Sequence, residues 1–196
     1  MPRPPEVLLL RHGETDWSAT GRHTGRTDVE LTDRGRHQAR ALGSAIAGRR
    51  LAMVLTSPLR RASETCRLAG LAGTEDGDLR EWDYGDYEGR TTPEIRREVP
   101  GWTIWGGPVP GGEHLEEVAA RADRVVERLL AVGSDVAVVS HGHFLRVLAA
   151  RWLELPAVEG RRFVLDTATL CLLGVEREAR AVLRWNAPPP ALDERS

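Results

Sequence analysis

Three short apolar runs punctuate the chain, and each passes into a stretch with helical periodicity. EVLLL (6–10), MVLTS (53–57) and DVAVVS (135–140) are rich in Val and Leu without polar alternation, the pattern of parallel strands covered on both faces. LTDRGRHQARALGSAIAG (31–48) predicts a helix capped near Thr32 and stopped at Gly48. SPLRRASETCRLAG (57–70) predicts another, with Ser57 as its cap and Pro58 in the first turn, where a missing N–H costs nothing. In GEHLEEVAARADRVVERLLAVG (112–133), Leu115, Val118, Ala122, Val125, Val126 and Leu129 fall on one helical face, and HFLRVLAARWLEL (143–155) follows the third run directly. Strand and helix alternate, which predicts an α/β fold: three α/β/α layers around a mostly parallel sheet.

Two regions break the alternation. RRFVLDT (161–167), TLCLLGVE (169–176) and AVLRWN (181–186) read as strands joined only by turns, so an antiparallel extension is expected at one sheet edge. Residues 80–112 are rich in Gly, Pro and Trp without clear periodicity. An irregular segment of that length in a compact domain is usually functional, and this one is expected to form a short lid or binding loop. A single domain over residues 1–187 and a disordered tail at 188–196 complete the expected layout.

With 196 residues, 41% hydrophobic and 29% charged, the chain can bury a core of its own. A net charge of −2 offers no electrostatic footprint for nucleic acid or a membrane surface, and no apolar run approaches the roughly 18 residues of a membrane helix. Cys66 and Cys171 are the only cysteines. Two distant thiols, with no apolar leader after MPRPPE, point to a reduced, cytoplasmic setting rather than a disulfide scaffold. Neither a nucleic acid nor a membrane is an expected partner, and a homodimer is compatible with the chain.

Open α/β sheets bind ligands at the carboxyl ends of their strands. The first run delivers Arg11, His12 and Gly13 there; the second Ser57 and then Arg60 and Arg61; the third Ser140, His141, Gly142 and His143. Two histidines and at least one arginine pair on one rim suit phosphate, because guanidinium forks bind its oxygens bidentately and helix N-termini add N–H donors. A neutral imidazole can also attack phosphorus to form a covalent intermediate. Arg60 and Arg61 point in different directions on a helix, so one of them is an ordinary surface charge. The H-x-H spacing of His141 and His143 also fits a metal pair, but Gly142 suggests that the strand is ending, and alternate residues share a face only while a strand continues.

RHGET, SPLRRASET, LREWDYGDYEG and SHGHFLR occur in that order between Val7 and Arg146. Together they closely resemble the histidine phosphatase superfamily, also called the phosphoglycerate mutase-like family. The resemblance implies that His12 is the nucleophile that becomes phosphohistidine, with Arg11 beside it on the phosphate. It selects Arg61, which precedes the alanine of S-x-L-x-R-A, over Arg60. His141 becomes the second pocket histidine, whose cationic form would stabilise the transferring phosphoryl group, with Gly142 and His143 next to it on the substrate. Glu81 becomes the proton donor and later base; by sequence alone Glu14, Asp83, Asp86 and Glu88 compete with it. Thr24 and Gly25 match a substrate-contacting loop, and Tyr84 a lid tyrosine. Ser18 stands where the family commonly has an asparagine on the phosphate, and its shorter hydroxyl could still donate.

LREWDYGDYEG and TIWGGPVPGGE are most similar to a phosphatase branch that includes mycobacterial-type acid phosphatases and the yeast-type sedoheptulose bisphosphatase. The expected function is hydrolysis of a small phosphorylated metabolite through phosphohistidine, with no metal and no other cofactor. Phosphoglycerate mutase activity and a non-catalytic phosphate-binding module are the alternatives. Arg90, Arg96 and Arg97 are candidates to hold a second phosphate.

Overall fold

Alternate residues of the central strands feed opposite layers. A computed structural model describes residues 5–189; of the expected tail, residues 190–196 lie outside the described part. In chain order the elements are β1 (Val7–Arg11), α1 (Asp16–Ala19), α2 (Asp33–Ile46), β2 (Met53–Thr56), α3 (Arg60–Leu68), β3 (Thr74–Glu75), α4 (Thr92–Glu98), α5 (Leu115–Val132), β4 (Val136–Ser140), α6 (Gly142–Trp152), β5 (Leu170–Glu176) and β6 (Ala179–Ala187). The six strands form one sheet in the order β3-β2-β4-β1-β5-β6. β1, β2, β3 and β4 pair in parallel, and β5 and β6 extend the sheet antiparallel beyond β1.

Leu8, Leu10, Ala137 and Val139 join Leu42, Ile46, Ala62 and Cys66 under α2 and α3. Leu9, Val136 and Val138 join Val118, Ala122, Val125, Phe144 and Leu148 under α5 and α6. This two-residue period, with both faces covered, is why the strands carry no polar alternation. The expected three-layer α/β/α architecture is the observed one. Thr32 caps α2 by accepting from Gly35 N, and Gly48 takes a left-handed φ of 79° just beyond that helix, as its sequence predicted.

Two local expectations are corrected. Ser57 does not cap α3, which begins at Arg60 with Leu59 in the cap position and no side-chain cap. Pro58 keeps the residue before it extended, so the chain needs two more residues to turn into the helix. RRFVLDT is no strand: residues Ala157–Arg162 form a 3-10 helix, and Ala168 at φ 52° breaks the ladder before β5. The segment instead crosses the end of β1, with Ala168 N–H donating to His12 O at 3.0 Å.

Residues 80–112 are not shapeless. They hold a 3-10 turn at Gly85–Tyr87 and α4, whose capping box joins Thr91 and Glu94. Trp82, Tyr84, Tyr87, Ile95, Trp102, Ile104 and Val109 are all buried in the core shared with α5 and α6. The segment thus stands as a wall anchored by its own aromatic residues. Among the described residues, no helix is long and apolar enough to cross a membrane.

Candidate active site

The registered pairs of the sheet bring three strand ends to one rim. Arg11 lies opposite Ser140, and β2 ends one residue before Ser57, beside β4. His12 N–H donates to Ser140 O at 3.0 Å and Ser57 N–H to Val139 O at 2.9 Å, so backbone bonds set the spacing of the residues that follow. Gly13 then turns the chain under α2. A Cβ there would lie 2.3 Å from Gly35 O, so glycine allows a close approach of backbone to backbone rather than to a ligand. Thr65 fastens the turn to α3, its Oγ1 accepting from Gly13 N–H at 3.1 Å and donating to Arg61 O at 2.7 Å.

His12 and His141 are both buried, with ring centroids 5.2 Å apart. His12 Nδ1 lies 2.7 Å from Gly13 O, and since a carbonyl can only accept, that nitrogen carries the proton and leaves the Nε2 lone pair free. His141 Nε2 lies 2.8 Å from Ser57 Oγ, while its Nδ1 has no partner. Burial, followed by the Arg61 and Arg11 charges, holds His12 well below the usual histidine range. Burial and then Arg61 do the same for His141, which favours its neutral form.

Arg61 is fully buried and donates to three carbonyls of one loop: Thr24 O at 3.0 Å and Gly25 O at 2.8 Å from Nη2, and Thr27 O at 3.0 Å from Nη1. Its Nε has no partner. Arg11 Nη1 donates to Leu165 O, and its Nε is also unpartnered. Arg60 faces outward to Glu30, so it is the surface charge of the pair. Buried polar atoms rarely go unpaired. Here three such atoms, all nitrogens, belong to Arg11, Arg61 and His141 around His12.

Glu81 occupies the N-terminus of α6. Its Oε1 accepts from Phe144 N–H at 2.8 Å and Trp82 N–H at 3.0 Å, and its Oε2 accepts from His143 N–H at 3.0 Å. The carboxylate serves as the cap that His141 lacks, in the place where the helix dipole favours negative charge. The competing acids are engaged elsewhere: Glu14 accepts from Thr32 Oγ1 at 3.0 Å, Asp83 pairs with Arg26 at 2.8 Å, and Glu88 accepts from the loop N–H groups of Arg26 and Thr27. Asp86 is exposed.

A cleft of about 190 Å³ is lined among others by Arg11, His12, Glu81, Gly142 and His143, while Arg61 and His141 are fully buried behind it and do not line it. Tyr84 and Thr24 line it too, as the sequence indicated. Gly25 does not: it is buried, and its contribution is the carbonyl held by Arg61. Ser18 lies at the cleft with its hydroxyl turned away, donating to Thr15 O at 3.0 Å in a capping box. Arg90, Arg96 and Arg97 line no part of this cleft. Arg90 pairs with Glu98 at 2.6 Å, Arg96 Nε donates to Trp102 O at 2.8 Å, and Arg97 lies 3.9 Å from Glu94. Arg22 and Arg146 add cationic side chains to the cleft lining, and His23 lines it too, its ring 4.7 Å from that of Tyr84 and 6.3 Å from that of His143.

These were missed because each lies outside the recognised motif cores; Arg146 ends SHGHFLR, and its position one helical turn beyond Gly142 was the available signal. His141 and His143 have separate partners, His141 Nε2 at Ser57 Oγ and His143 Nδ1 2.6 Å from Tyr84 Oη. Among the described residues, no group of three or more His, Cys, Asp or Glu side chains is placed to hold a metal ion. A larger open groove of about 490 Å³ beside Arg49 and Asp135, at the other end of the strands, contains none of the unpartnered nitrogens, so size does not identify the site.

The histidine phosphatase superfamily (branch 1) family model matches residues 7–188. An acid phosphatase of Mycobacterium tuberculosis is 49% identical over 190 residues, covering 93% of this chain and 94% of its own. A protein named probable phosphoglycerate mutase, from Photorhabdus laumondii, is 32% identical over 210 residues, covering 96% and 98%. The solved structure of the Mycobacterium tuberculosis open reading frame Rv3214 superposes with a TM-score of 0.91 at 46% identity, covering 95% of this chain and all of that one. Motifs, fold and matched length agree: the chain belongs to the histidine phosphatase superfamily, and it is an enzyme of the phosphatase kind.

Proposed function

We propose that the protein is a metal-independent phosphomonoesterase that transfers the phosphoryl group of a small phosphorylated metabolite to His12 and then to water. The observation that carries this reading is the set of three unpartnered buried nitrogens, Arg11 Nε, Arg61 Nε and His141 Nδ1, beside a histidine whose Nε2 lone pair is free. Such a set lacks a ligand that is anionic and accepts several hydrogen bonds, and a phosphate does both.

The chemistry follows from these positions. The Nε2 lone pair of His12 attacks phosphorus, and the P–O bond to the leaving group breaks. Glu81, which must take up a proton as the substrate binds, gives that proton to the leaving oxygen, which departs as an alcohol. Glu81, now a carboxylate, takes a proton from an entering water whose oxygen attacks the phosphohistidine; the N–P bond breaks and inorganic phosphate leaves. Arg11 and Arg61 stay in place throughout and bear on the charge that spreads over the phosphoryl oxygens.

A mutase must keep water from the phosphoenzyme while its substrate turns over. The wall formed by residues 80–112 is anchored in the core, and the cleft lining includes the exposed Gly21 and Arg22. Water access of this kind favours hydrolysis over mutase turnover. The test is rapid quenching with substrate labelled in the phosphoryl group: acid-labile, base-stable label on His12 is expected. Label on another residue, or full turnover by His12→Ala, would overturn the reading.

A further inference from the structure

Arg61 depends on a loop that has no regular structure of its own. Thr24, Gly25 and Thr27 present their carbonyls to the guanidinium, and something must aim three carbonyls inward at once. The opposite side of that loop is held by one carboxylate. Glu88 Oε1 accepts from Arg26 N–H at 2.5 Å, Oε2 accepts from Thr27 N–H at 2.8 Å, and the Thr27 hydroxyl also donates to Oε2. The peptide unit that gives the Arg26 N–H to Glu88 carries the Gly25 carbonyl on its other side, which thereby faces Arg61, and the bonds from Thr27 N–H and its hydroxyl fix the residue whose own carbonyl also meets Arg61.

The fit is tight. A Cβ on Gly25 would lie 2.2 Å from Glu88 Oε1 and 2.9 Å from Trp82 O, so glycine at that position lets the carboxylate close on the loop. Glu88 itself follows the 3-10 turn Gly85–Tyr87, whose Tyr87 is buried in the core, so the carboxylate projects from an anchored base. The same loop carries Thr24 into the cleft.

We propose that Glu88 is a positioning residue of the site, acting on phosphate through the Gly25–Thr27 loop and Arg61. The inference rests on the reading of the cleft as a phosphate site, and its test separates the two. Binding of orthovanadate and of inorganic phosphate is measured by calorimetry for the wild type, Glu88→Gln, Arg61→Lys and the double variant, with thermal midpoints recorded for each. Failure of the wild type to bind either anion overturns the phosphate site itself. If it binds, Glu88→Gln is expected to weaken binding about tenfold in the wild-type background and less than about twofold beside Arg61→Lys, since coupled residues give non-additive effects.

Equal losses in both backgrounds, or a lowered thermal midpoint with unchanged affinity, would overturn the positioning role. Should Glu88→Gln not fold, Glu88→Asp replaces it in the same cycle: a shorter carboxylate cannot span both N–H groups, and the same background dependence is expected. In turnover, the loss is expected in kcat/KM without a displaced pH profile, because Glu88 exchanges no proton with substrate.

Discussion

The rings of His12 and His141 lie 5.2 Å apart at an interplanar angle of 59°, and both are buried. Burial first, and Arg61 next, favours the neutral form of each. For His12 that is the reactive form. For His141 it means that positive charge arises only when an anion arrives to balance it.

Anion binding is therefore expected to take up protons. Calorimetric titration with orthovanadate near pH 7, in buffers of differing ionisation enthalpy, is expected to show uptake of up to about one proton per site. A heat independent of buffer would show that His141 stays neutral in the complex.

Stability is expected to fall on acidification below pH 6.5. His12, His23, His141 and His143 all have folded values lowered chiefly by burial, so the unfolded chain binds more protons and stability rises with pH through this range. For His23, lowered from 6.5 to about 4, the loss at pH 5 is about 2 kcal/mol relative to neutral pH. Denaturant midpoints at pH 7.5 and pH 5 measure the sum, and an unchanged midpoint would contradict the assignment.

Glu81→Gln is expected to lower kcat by roughly 10²–10⁴-fold for alkyl phosphates and much less for p-nitrophenyl phosphate, whose leaving group needs no proton. Because the carboxylate also caps α6, Glu81→Ala is expected to cost about 1 kcal/mol of stability beyond the loss of activity. Equal kcat losses for both leaving-group classes would make Glu81 a positioning group only.

Prolonged treatment with EDTA is expected to leave phosphatase activity unchanged, since the proposed mechanism assigns the positive charge to guanidinium groups and His141. Loss of activity restored by Zn²⁺ or Mn²⁺ would assign the electrostatics to a metal instead.

The sheet was legible because burial on both faces writes itself as unbroken apolar runs, and α2 because Thr32 and Gly48 mark its ends. The strand ends carrying Arg11, His12 and His141 followed from the same runs. Less legible was everything whose role depends on a partner far along the chain. Ser57 resembles a helix cap in sequence, yet its hydroxyl meets His141, 84 residues away. Ser18 reads as a phosphate contact until the neighbouring Thr15 claims its hydroxyl. The wall at residues 80–112 lacks periodicity because its aromatic residues are buried one by one from turns, and β3, two residues long, offers too short a pattern to read.

The clamped Arg61 has one more consequence. A side chain held by three carbonyls at its far end cannot swing aside when the reaction is over. In a phosphatase built this way, inorganic phosphate faces on departure the same rigid donors that drew the substrate in. On the proposed reading, release of the product is expected to slow turnover at saturation, and free phosphate is expected to act as a brake that weakens when the loop at Thr24–Thr27 is loosened.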